Sequence, residues 1–527
     1  MTWASVVTAL GLWLGGLGVL RALGPRRPRS GLERHATAVM LGVALVPAVL
    51  VALTVAFGPL SPLQGRLLLG VFAAGGVLAL VRGFPEAPLL PEGVPGEEPA
   101  GGLVRTGVAL LLLFAAFAVF NAGSMPMHVF DPVYHFAYKG KLIFHEGFDT
   151  PAWKDLDGSV GRIITHPEYP PGVPALEALL ACVNGSFDED AARALMALFV
   201  LGPAAWLWCA LRGRSRAAAV SAALLWVSLP FLYYTQKPHK DNFWYAVYGL
   251  LFGPEKGART FPDSGKWAMP DGWTLDGAGD LPIAALFFGA FLFLGRLLPG
   301  SGLPRDRADV GTAAILLGGV LLAKNEGQAL CAVLTVAVGL TLLVRRLAGS
   351  ANADAAGGAG PDARSGPHPA LALVACLAVA ALLYAPWAYV RRNIPVIGED
   401  YPSLLTPAGI WSRTARAGKV WSGFRESFTW ILRWDLLWPL FFATLAWALA
   451  RPQRFLRHPA LPAVLVVFGA FALYFLILLV TPWDLDVLFD TVIPGRLILH
   501  VTPIAILALG SLLWRTRAEA GLEEPPG

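Results

Sequence analysis

Long apolar runs recur along almost the whole chain, and they constrain its fold more than any other feature of the sequence. A helix needs about 20 consecutive apolar residues to cross the hydrocarbon core of a bilayer. We identify thirteen runs of roughly this kind, at 3–22, 37–58, 64–82, 103–121, 191–211, 217–234, 280–298, 309–323, 327–344, 370–390, 432–450, 460–480 and 497–514. The sequence therefore predicts an all-α polytopic membrane protein with about 13 transmembrane helices.

The composition agrees with this fold class and excludes others. The chain is 56% hydrophobic and only 15% charged, whereas soluble domains carry about 25% charged residues. No soluble domain of ordinary size is expected. The net charge of +5 is explained by arginine-rich loops on the cytoplasmic side of a membrane, so nucleic acid is not an expected partner.

The arginine-rich loops also predict the orientation of the chain. They lie at 21–34, 212–216, 304–307, 345–346, 451–457 and 515–517. Thirteen crossings put all of these loops on the cytoplasmic side, as the positive-inside rule requires, with the N-terminus outside. A shorter apolar run at 172–183 would split them between the two sides if it crossed. We therefore interpret 172–183 as a helix that lies in the interface or enters the membrane part-way.

This orientation brings the loops rich in acidic, aromatic and histidine residues to the outer face. They are 122–171, 235–279, 391–431 and 481–496. By contrast, the segment 347–369 is rich in Ala, Gly, Ser and Pro and falls inside, where it is typical of a disordered linker. The loop 83–102 has a similar character.

The first outer loop contains the stretch "DPVYHFAYKGK" at 131–141. Pro132 suits the first position of a helix, which makes Asp131 its N-cap. Two adjacent helix faces then carry the polar and aromatic groups, Tyr134, Tyr138 and Lys141 on one and His135 and Lys139 on the other. A functional site is one interpretation, and an interfacial helix that lies flat on the membrane is the other.

The same loop ends in "THPEYPPGVP", residues 165–174. Because residues before proline avoid the helical region, this stretch predicts an extended segment ahead of a short helix. Within it, His166 and Glu168 would face the same side at a period of two, with Tyr169 next to them. The pair is either part of a site or simply part of a proline-rich bend.

Three further positions place charge near the ends of predicted spans. Lys324 and Glu326, in "AKNEG", interrupt an apolar stretch, and ionised groups at such depth usually serve a site; the alternative is a pair that neutralises itself in a buried hairpin. Asp280 stands at the outer mouth of a span, either in a site or as a helix cap. Arg496 begins the last span on the outer side, where a guanidinium could hold a phosphate, and His500 lies one turn deeper.

Together these groups suit chemistry at the outer surface of a membrane. Carboxylates can act as general bases, cations can stabilise a phosphate leaving group, and aromatic faces can pack on sugar rings. No Walker loop, dinucleotide fingerprint or HExxH motif occurs in a suitable setting. Since nucleotide sugars are absent outside the cytoplasm, a sugar donor used there would have to be lipid-linked.

The order of these segments resembles that of the GT-C superfamily of integral-membrane glycosyltransferases. The likeness is nearest to bacterial protein O-mannosyltransferase-like and lipid A aminoarabinose-transferase-like enzymes, and it covers roughly 103–514. It rests on "FDPVYHFAYKGK", "HPEYPPG", "DLPIAALF", "AKNEG" and "TPWDLDVLFDTVIPGRLILHVTP".

The resemblance implies a GT-C-like arrangement of segments along the chain. We expect a three-helix extension at 1–102, a catalytic membrane module at 103–346, a linker at 347–369, C-terminal membrane helices at 370–514 and a cytoplasmic tail at 515–527. The large outer loop of the module would carry interfacial helices. The protein would be a multi-pass protein of the bacterial inner membrane, with its active site facing outward.

The resemblance also implies an activity, an inverting transfer of a hexose or pentose from a polyprenyl-phosphate donor to an acceptor hydroxyl. Asp131 would be the catalytic base, although this chain has "DP" where the family often has an acidic pair, so His135 or Glu168 could assist. A divalent metal is common near this loop, and Asp131, His166 and Glu168 could supply ligands; metal dependence stays open.

The expected roles divide the candidate residues into three groups. They are catalytic residues Asp131, Glu168 and His166, donor-phosphate ligands Arg496, Lys324 and His500, and substrate-binding residues His135, Tyr134, Lys139, Tyr169, Glu326 and Asp280. The expected partners are the lipid-linked donor and membrane lipid, and the sequence leaves the acceptor open. The alternative function is a transporter or flippase of a polar or lipid-linked solute, although its charges would be expected nearer the membrane midplane.

Overall fold

The computed structural model describes twelve ranges of the chain. These are 2–25, 29–85, 88–90, 101–124, 135–153, 166–233, 279–298, 306–347, 368–394, 401–429, 434–490 and 493–514. Among the predicted segments, the outer loop 235–279 except its last residue, most of the linker 347–369 and the tail 515–527 lie outside these ranges. Regular structure in the described part is entirely helical.

Ten α-helices lie in the described residues of the first half of the chain. They are α1 (Trp3–Ala22), α2 (Gly31–Phe57), α3 (Pro62–Val81), α4 (Gly102–Ser124), α5 (Tyr138–His145), α6 (Gly172–Asn184), α7 (Glu189–Arg193), α8 (Met196–Arg212), α9 (Arg216–Ser228) and α10 (Pro230–Tyr233). The first three pack together, and small residues let their backbones approach closely. A Cβ added at Gly16 would lie 1.7 Å from the carbonyl oxygen of Ala38, and one at Gly42 would lie 2.0 Å from that of Leu12.

Thirteen helices follow in the second half of the described chain. They are α11 (Asp280–Gly295), α12 (Arg307–Ala323), α13 (Glu326–Leu347), α14 (Pro369–Arg391), α15 (Tyr401–Leu404), α16 (Pro407–Ser412), α17 (Ala417–Thr429), α18 (Leu437–Leu449), α19 (Pro452–Arg457), α20 (Leu461–Val480), α21 (Leu485–Asp490), α22 (Ile493–Leu499) and α23 (Thr502–Leu513). The pair α11 and α12 packs against α2, α8 and α14. Nearly every residue of this pair is buried, so it forms the centre of the core.

Eight helices in the described ranges are long and apolar enough to cross a membrane. They are Trp3–Ala22, Gly31–Phe57, Pro62–Val81, Gly102–Ser124, Glu189–Arg212, Glu326–Leu347, Pro369–Arg391 and Leu461–Val480. A ninth is obtained if the bent pair α22 and α23 counts as one span. The chain is thus an all-helical protein with the character of a multi-pass membrane protein, while the total of about 13 crossings stays a prediction.

The short helix α6 does not lie flat on the surface of the bundle. Every residue from Val173 to Cys182 is buried, and the helix packs against α2, α3 and α5. A helix lying in the membrane interface would keep one face exposed. Helix α6, about 20 Å long, is therefore inserted among other helices, while its depth in a membrane stays a prediction.

The last apolar run, predicted as a span at 497–514, is broken rather than continuous. Helix α22 ends at Leu499, α23 begins at Thr502, and their axes differ by 55°. Pro503 explains the break, because it has no backbone N–H to donate to the Leu499 carbonyl oxygen and is tolerated in the first turn of a helix, where it stands in α23. The break places His500 at a corner between two helices.

Candidate functional site

A buried carboxylate at the start of α11 forms the centre of the candidate site. Asp280 is the first residue of the helix and is 1% exposed. Its Oδ1 atom lies 3.0 Å from Lys324 Nζ and 3.0 Å from His500 Nε2. Its Oδ2 atom accepts hydrogen bonds from Arg496 Nε at 2.8 Å and Arg496 Nη2 at 2.7 Å. Asp280 thus gathers three of the predicted residues, each from a different element.

Helix ends position these groups. Helix α12 stops at Ala323, and Lys324 adopts an extended conformation at its C-cap, which turns its side chain toward the start of α11. Arg496 lies on the short helix α22, and His500 lies in the break after it. Lys324 and His500 therefore leave the backbone where a helix ends, whereas Arg496 leaves it from within the short helix α22.

The site includes a second acidic group, Glu326, at the start of α13. Its Oε1 atom lies 2.8 Å from Lys324 Nζ, so the ammonium bridges Glu326 and Asp280. The Lys324–Glu326 ion pair that the sequence offered as an alternative therefore exists, but Lys324 also pairs with Asp280. Two carboxylates balance the Lys324 and Arg496 cations, which is what a buried charge cluster requires.

A tyrosine that the sequence analysis missed completes a chain of hydrogen bonds to Asp280. The Tyr474 hydroxyl lies 2.7 Å from His500 Nδ1, and both side chains are fully buried. With the hydroxyl donating to Nδ1, the Nε2–H of a neutral imidazole donates to Asp280. Tyr474 lies inside an apolar run, and the need of a buried hydroxyl for a partner was the only signal that could have indicated it.

The segment that follows the first large loop forms a tight turn instead of the extended strand expected for residues 166–169. His166 has φ = 51°, and its carbonyl oxygen accepts a hydrogen bond from the Tyr169 N–H at 3.0 Å. The same carbonyl accepts a hydrogen bond from Lys139 Nζ. These two donors hold a backbone conformation that is unfavourable for a residue with a side chain.

The turn brings His166 and Glu168 together, although we expected them to share one side of an extended segment. His166 Nδ1 lies 3.2 Å from Glu168 Oε1. Glu168 is 1% exposed, and its Oε2 atom is buried with no hydrogen-bond partner among the described residues. A carboxylate oriented by a histidine and with one oxygen unengaged is suited to accept a proton.

Lys139 lies on α5 and is fully buried against this turn. Burial lowers the pKa of its ammonium from 10.5 to about 7, and the Glu168 carboxylate opposes this shift. Lys141, two residues on, is exposed. The described part of the predicted helix, 135–145, is therefore helical, but the face carrying Lys139 packs on the protein rather than lying on a membrane surface.

The Tyr169 ring connects the turn to the Asp280 cluster. Lys139 Nζ lies 5.3 Å from the ring centroid and Lys324 Nζ lies 5.9 Å from it, distances typical of cation–π contacts. The His166 ring stacks on Tyr169 at 4.7 Å, and the His135 ring meets His166 edge-on at 4.8 Å. The two groups of residues thus form one continuous site.

The structure brings together most of the predicted site residues. They are His135, Lys139, His166, Glu168, Tyr169, Asp280, Lys324, Glu326, Arg496 and His500. Asp131 and Tyr134 lie outside the described residues. Asp280, which was expected to bind substrate, contacts all three predicted phosphate ligands, Lys324, Arg496 and His500.

The described residues do not fit a divalent metal. Among them, no group of three or more His, Cys, Asp or Glu side chains is arranged to hold a metal ion. His166 and Glu168 supply two potential ligands, and Asp131, the third expected one, lies outside the described ranges.

A second buried cluster of charges lies at the other ends of α11 and α12. Arg29 Nη2 lies 2.8 Å from Asp309 Oδ1, and Arg296 Nη1 lies 2.7 Å from Glu33 Oε1. Both guanidinium groups lie over the Phe293 ring, at 4.9 Å and 4.6 Å. The helix pair therefore carries a neutralised charge cluster at each end.

Comparisons of the chain with protein-family models, with curated proteins and with solved structures found no match.

Proposed function

We propose that the protein is an integral-membrane glycosyltransferase that moves a hexose or pentose from a polyprenyl-phosphate donor to an acceptor hydroxyl. The observation that carries the proposal is the convergence of buried Lys324 and Arg496 on Asp280, next to the Glu168–His166 pair. This arrangement offers cations for a departing phosphate beside a carboxylate for a proton. The acceptor stays open.

The proposed topology has thirteen crossings of a bacterial inner membrane, with the site facing outward. Two features support it. The helix ends assigned to the outer face by the arginine-rich loops, at Asp280, Lys324 and Arg496, meet in one cluster. The helix ends assigned to the cytoplasmic face, at Arg296 and Asp309, approach each other in the second charge cluster.

In the proposed reaction, the acceptor oxygen forms a bond to the anomeric carbon as the bond from that carbon to the phosphate oxygen breaks. The configuration at the anomeric carbon inverts. The acceptor proton moves to a carboxylate, and the negative charge stays on the polyprenyl phosphate. Arg496 and Lys324 would stabilise that charge in a site with little water, where such contacts are strongest.

Asp280 acts in this proposal as a positioning residue. In its absence the two buried cations would repel each other and lose a hydrogen-bond partner. The base is either Asp131, as the family resemblance implies, or Glu168, whose Oε2 atom is unengaged among the described residues. His166 would orient Glu168, and Tyr169 offers an aromatic face to a sugar.

A transporter or flippase is the second candidate, and the broken helix pair α22 and α23 favours it. Transporters often bind polar solutes where a membrane helix is interrupted, and here the break carries His500 beside buried charges. Reconstituted vesicles distinguish the two. Movement of a labelled sugar lipid across the bilayer with no released polyprenyl phosphate would support transport.

The test of glycosyl transfer uses the full chain reconstituted with polyprenyl-phosphate pentose and hexose donors and a panel of acceptors. Released polyprenyl phosphate is measured for the parent, Asp131→Asn and Glu168→Gln. Removing the general base should lower the rate by about 10²–10⁴-fold. Glu426→Gln is the control, because Glu426 is exposed on α17. Full activity in both carboxylate variants would contradict the proposal. Absence of released polyprenyl phosphate with both the parent and the control would also contradict it.

A further inference from the structure

A large apolar groove runs between α17, α18 and α20. Its volume is ≈ 690 Å³, within the range of about 300–1,000 Å³ typical of small-molecule sites. Six phenylalanines line it, Phe424, Phe428, Phe442, Phe468, Phe471 and Phe475. A surface this apolar suits a hydrocarbon chain rather than a polar solute.

The groove lies at the end of α20 that also carries the candidate site. Phe475 is five residues before the end of α20 at Val480, and Phe468 lies about 10 Å further along the helix. Helix α17 forms one side of the groove, and its Trp421 side chain is 61% exposed. Exposed tryptophans are typical of the interface between lipid head groups and acyl chains.

A cation stands at the rim of the groove. Arg425 lines it, is exposed, and forms no ion pair with any residue in the described ranges. The neighbouring cations are engaged, since Lys419 pairs with Asp486 at 2.6 Å and Arg416 donates to the Thr481 carbonyl oxygen at 2.6 Å. Arg425 is therefore available to a phosphate group outside the protein.

We propose that this groove binds an acyl chain of an anionic phospholipid, with the head-group phosphate on Arg425. The occupant is a bilayer lipid rather than the proposed sugar donor, because none of the groove-lining residues belongs to the Asp280 cluster. Arg496 and Lys324, the cations proposed for the donor phosphate, are each 5% exposed and packed elsewhere. The inference stands independently of the proposed glycosyl transfer.

The test is native mass spectrometry of the delipidated full chain in detergent after addition of dioleoyl phosphatidylglycerol, dioleoyl phosphatidylcholine or polyprenyl phosphate. We expect the parent to retain at least fivefold more phosphatidylglycerol than phosphatidylcholine. Ala472→Trp, which fills the groove, should remove most of the retained lipid, and Arg425→Gln should abolish the preference for phosphatidylglycerol. Ala74→Trp on α3 and Arg105→Gln on α4 are the matched controls, because both positions are exposed and distant in sequence from the groove.

The Arg425→Gln variant keeps the test decisive if Ala472→Trp does not fold. Equal retention of the two phospholipids by the parent, or an unchanged preference in Arg425→Gln, would overturn the proposal. It would also be overturned if the parent retained polyprenyl phosphate in preference to phosphatidylglycerol and Ala472→Trp removed that retention, since the groove would then hold the donor.

Discussion

The two charge clusters at the ends of α11 and α12 are built from the same kinds of ion pair but differ in what surrounds them. They lie about 24 Å apart, the length of the 16-residue helix α11. Arg29, Glu33, Arg296 and Asp309 form a cluster of permanently charged arginines and carboxylates around the Phe293 ring. The Asp280 cluster instead adds His500 and Tyr474, and it adjoins a strained turn.

This difference shows which features set the candidate site apart from the second cluster. Burial and ion pairing do not distinguish the two clusters, because both clusters have them. An unsatisfied oxygen does not either, since Asp309 Oδ2 and Glu168 Oε2 are both buried without a hydrogen-bond partner among the described residues. The distinguishing features are the groups that only the Asp280 cluster and the adjoining turn contain, namely two histidines, a buried tyrosine and a lysine whose pKa is lowered by burial.

Replacing the central carboxylate of each cluster should give the largest effect. Removing one partner from a buried ion pair costs about 3–5 kcal/mol, so Asp280→Asn and Asp309→Asn should both lower the midpoint of thermal unfolding in detergent. Only Asp280→Asn should also lower the rate of transfer per folded molecule, by about 10²–10³-fold. Equal loss of transfer in both variants would mean that the clusters do not differ in function.

Replacing the tyrosine of the Asp280 cluster should have a smaller effect. Tyr474→Phe removes one buried hydrogen bond to His500, which costs about 0.5–1.5 kcal/mol of stability, and loss of the orientation of His500 should slow transfer about tenfold. Tyr233→Phe is the matched control, because the Tyr233 hydroxyl donates to the Val227 carbonyl oxygen away from the site. Transfer rates per folded molecule should separate the two variants, and an equal reduction would argue against a role for the hydrogen-bond chain.

The sequence predicted local structure better than it predicted how the two clusters assemble. The helix Trp3–Ala22 matches the apolar run 3–22, and the turn at Lys324 and Glu326 was expected from the charges that interrupt an apolar stretch. The sequence did not predict the contact of Arg496 with Asp280, because 216 positions separate the two residues. A predicted topology indicates only that both residues lie at the same end of the bundle. Side-chain pairing across such distances is decided by packing.

The turn at His166 shows where a local rule failed. His166 precedes Pro167 and so was expected to be extended, yet tertiary contacts hold it at φ = 51°. The buried ammonium of Lys139 and the Tyr169 N–H both donate to its carbonyl oxygen. Neither contact can be derived from the sequence of the turn, because Lys139 approaches from α5.

A pH dependence of stability should occur at the candidate site and not at the Arg29 cluster. Lys139 has a pKa of about 7 when folded and 10.5 when exposed. Between these values the unfolded chain binds more protons than the folded one, so the free energy of unfolding should rise as the pH increases from about 7 to about 10.5. Below pH 7 both states are protonated and this slope vanishes. The midpoint of thermal unfolding of the parent and of Lys139→Met, compared at pH 6.5, 8 and 9.5, measures the difference. The parent should gain stability relative to the variant as the pH rises, and a constant difference would show that the Lys139 ammonium is not desolvated in the folded protein.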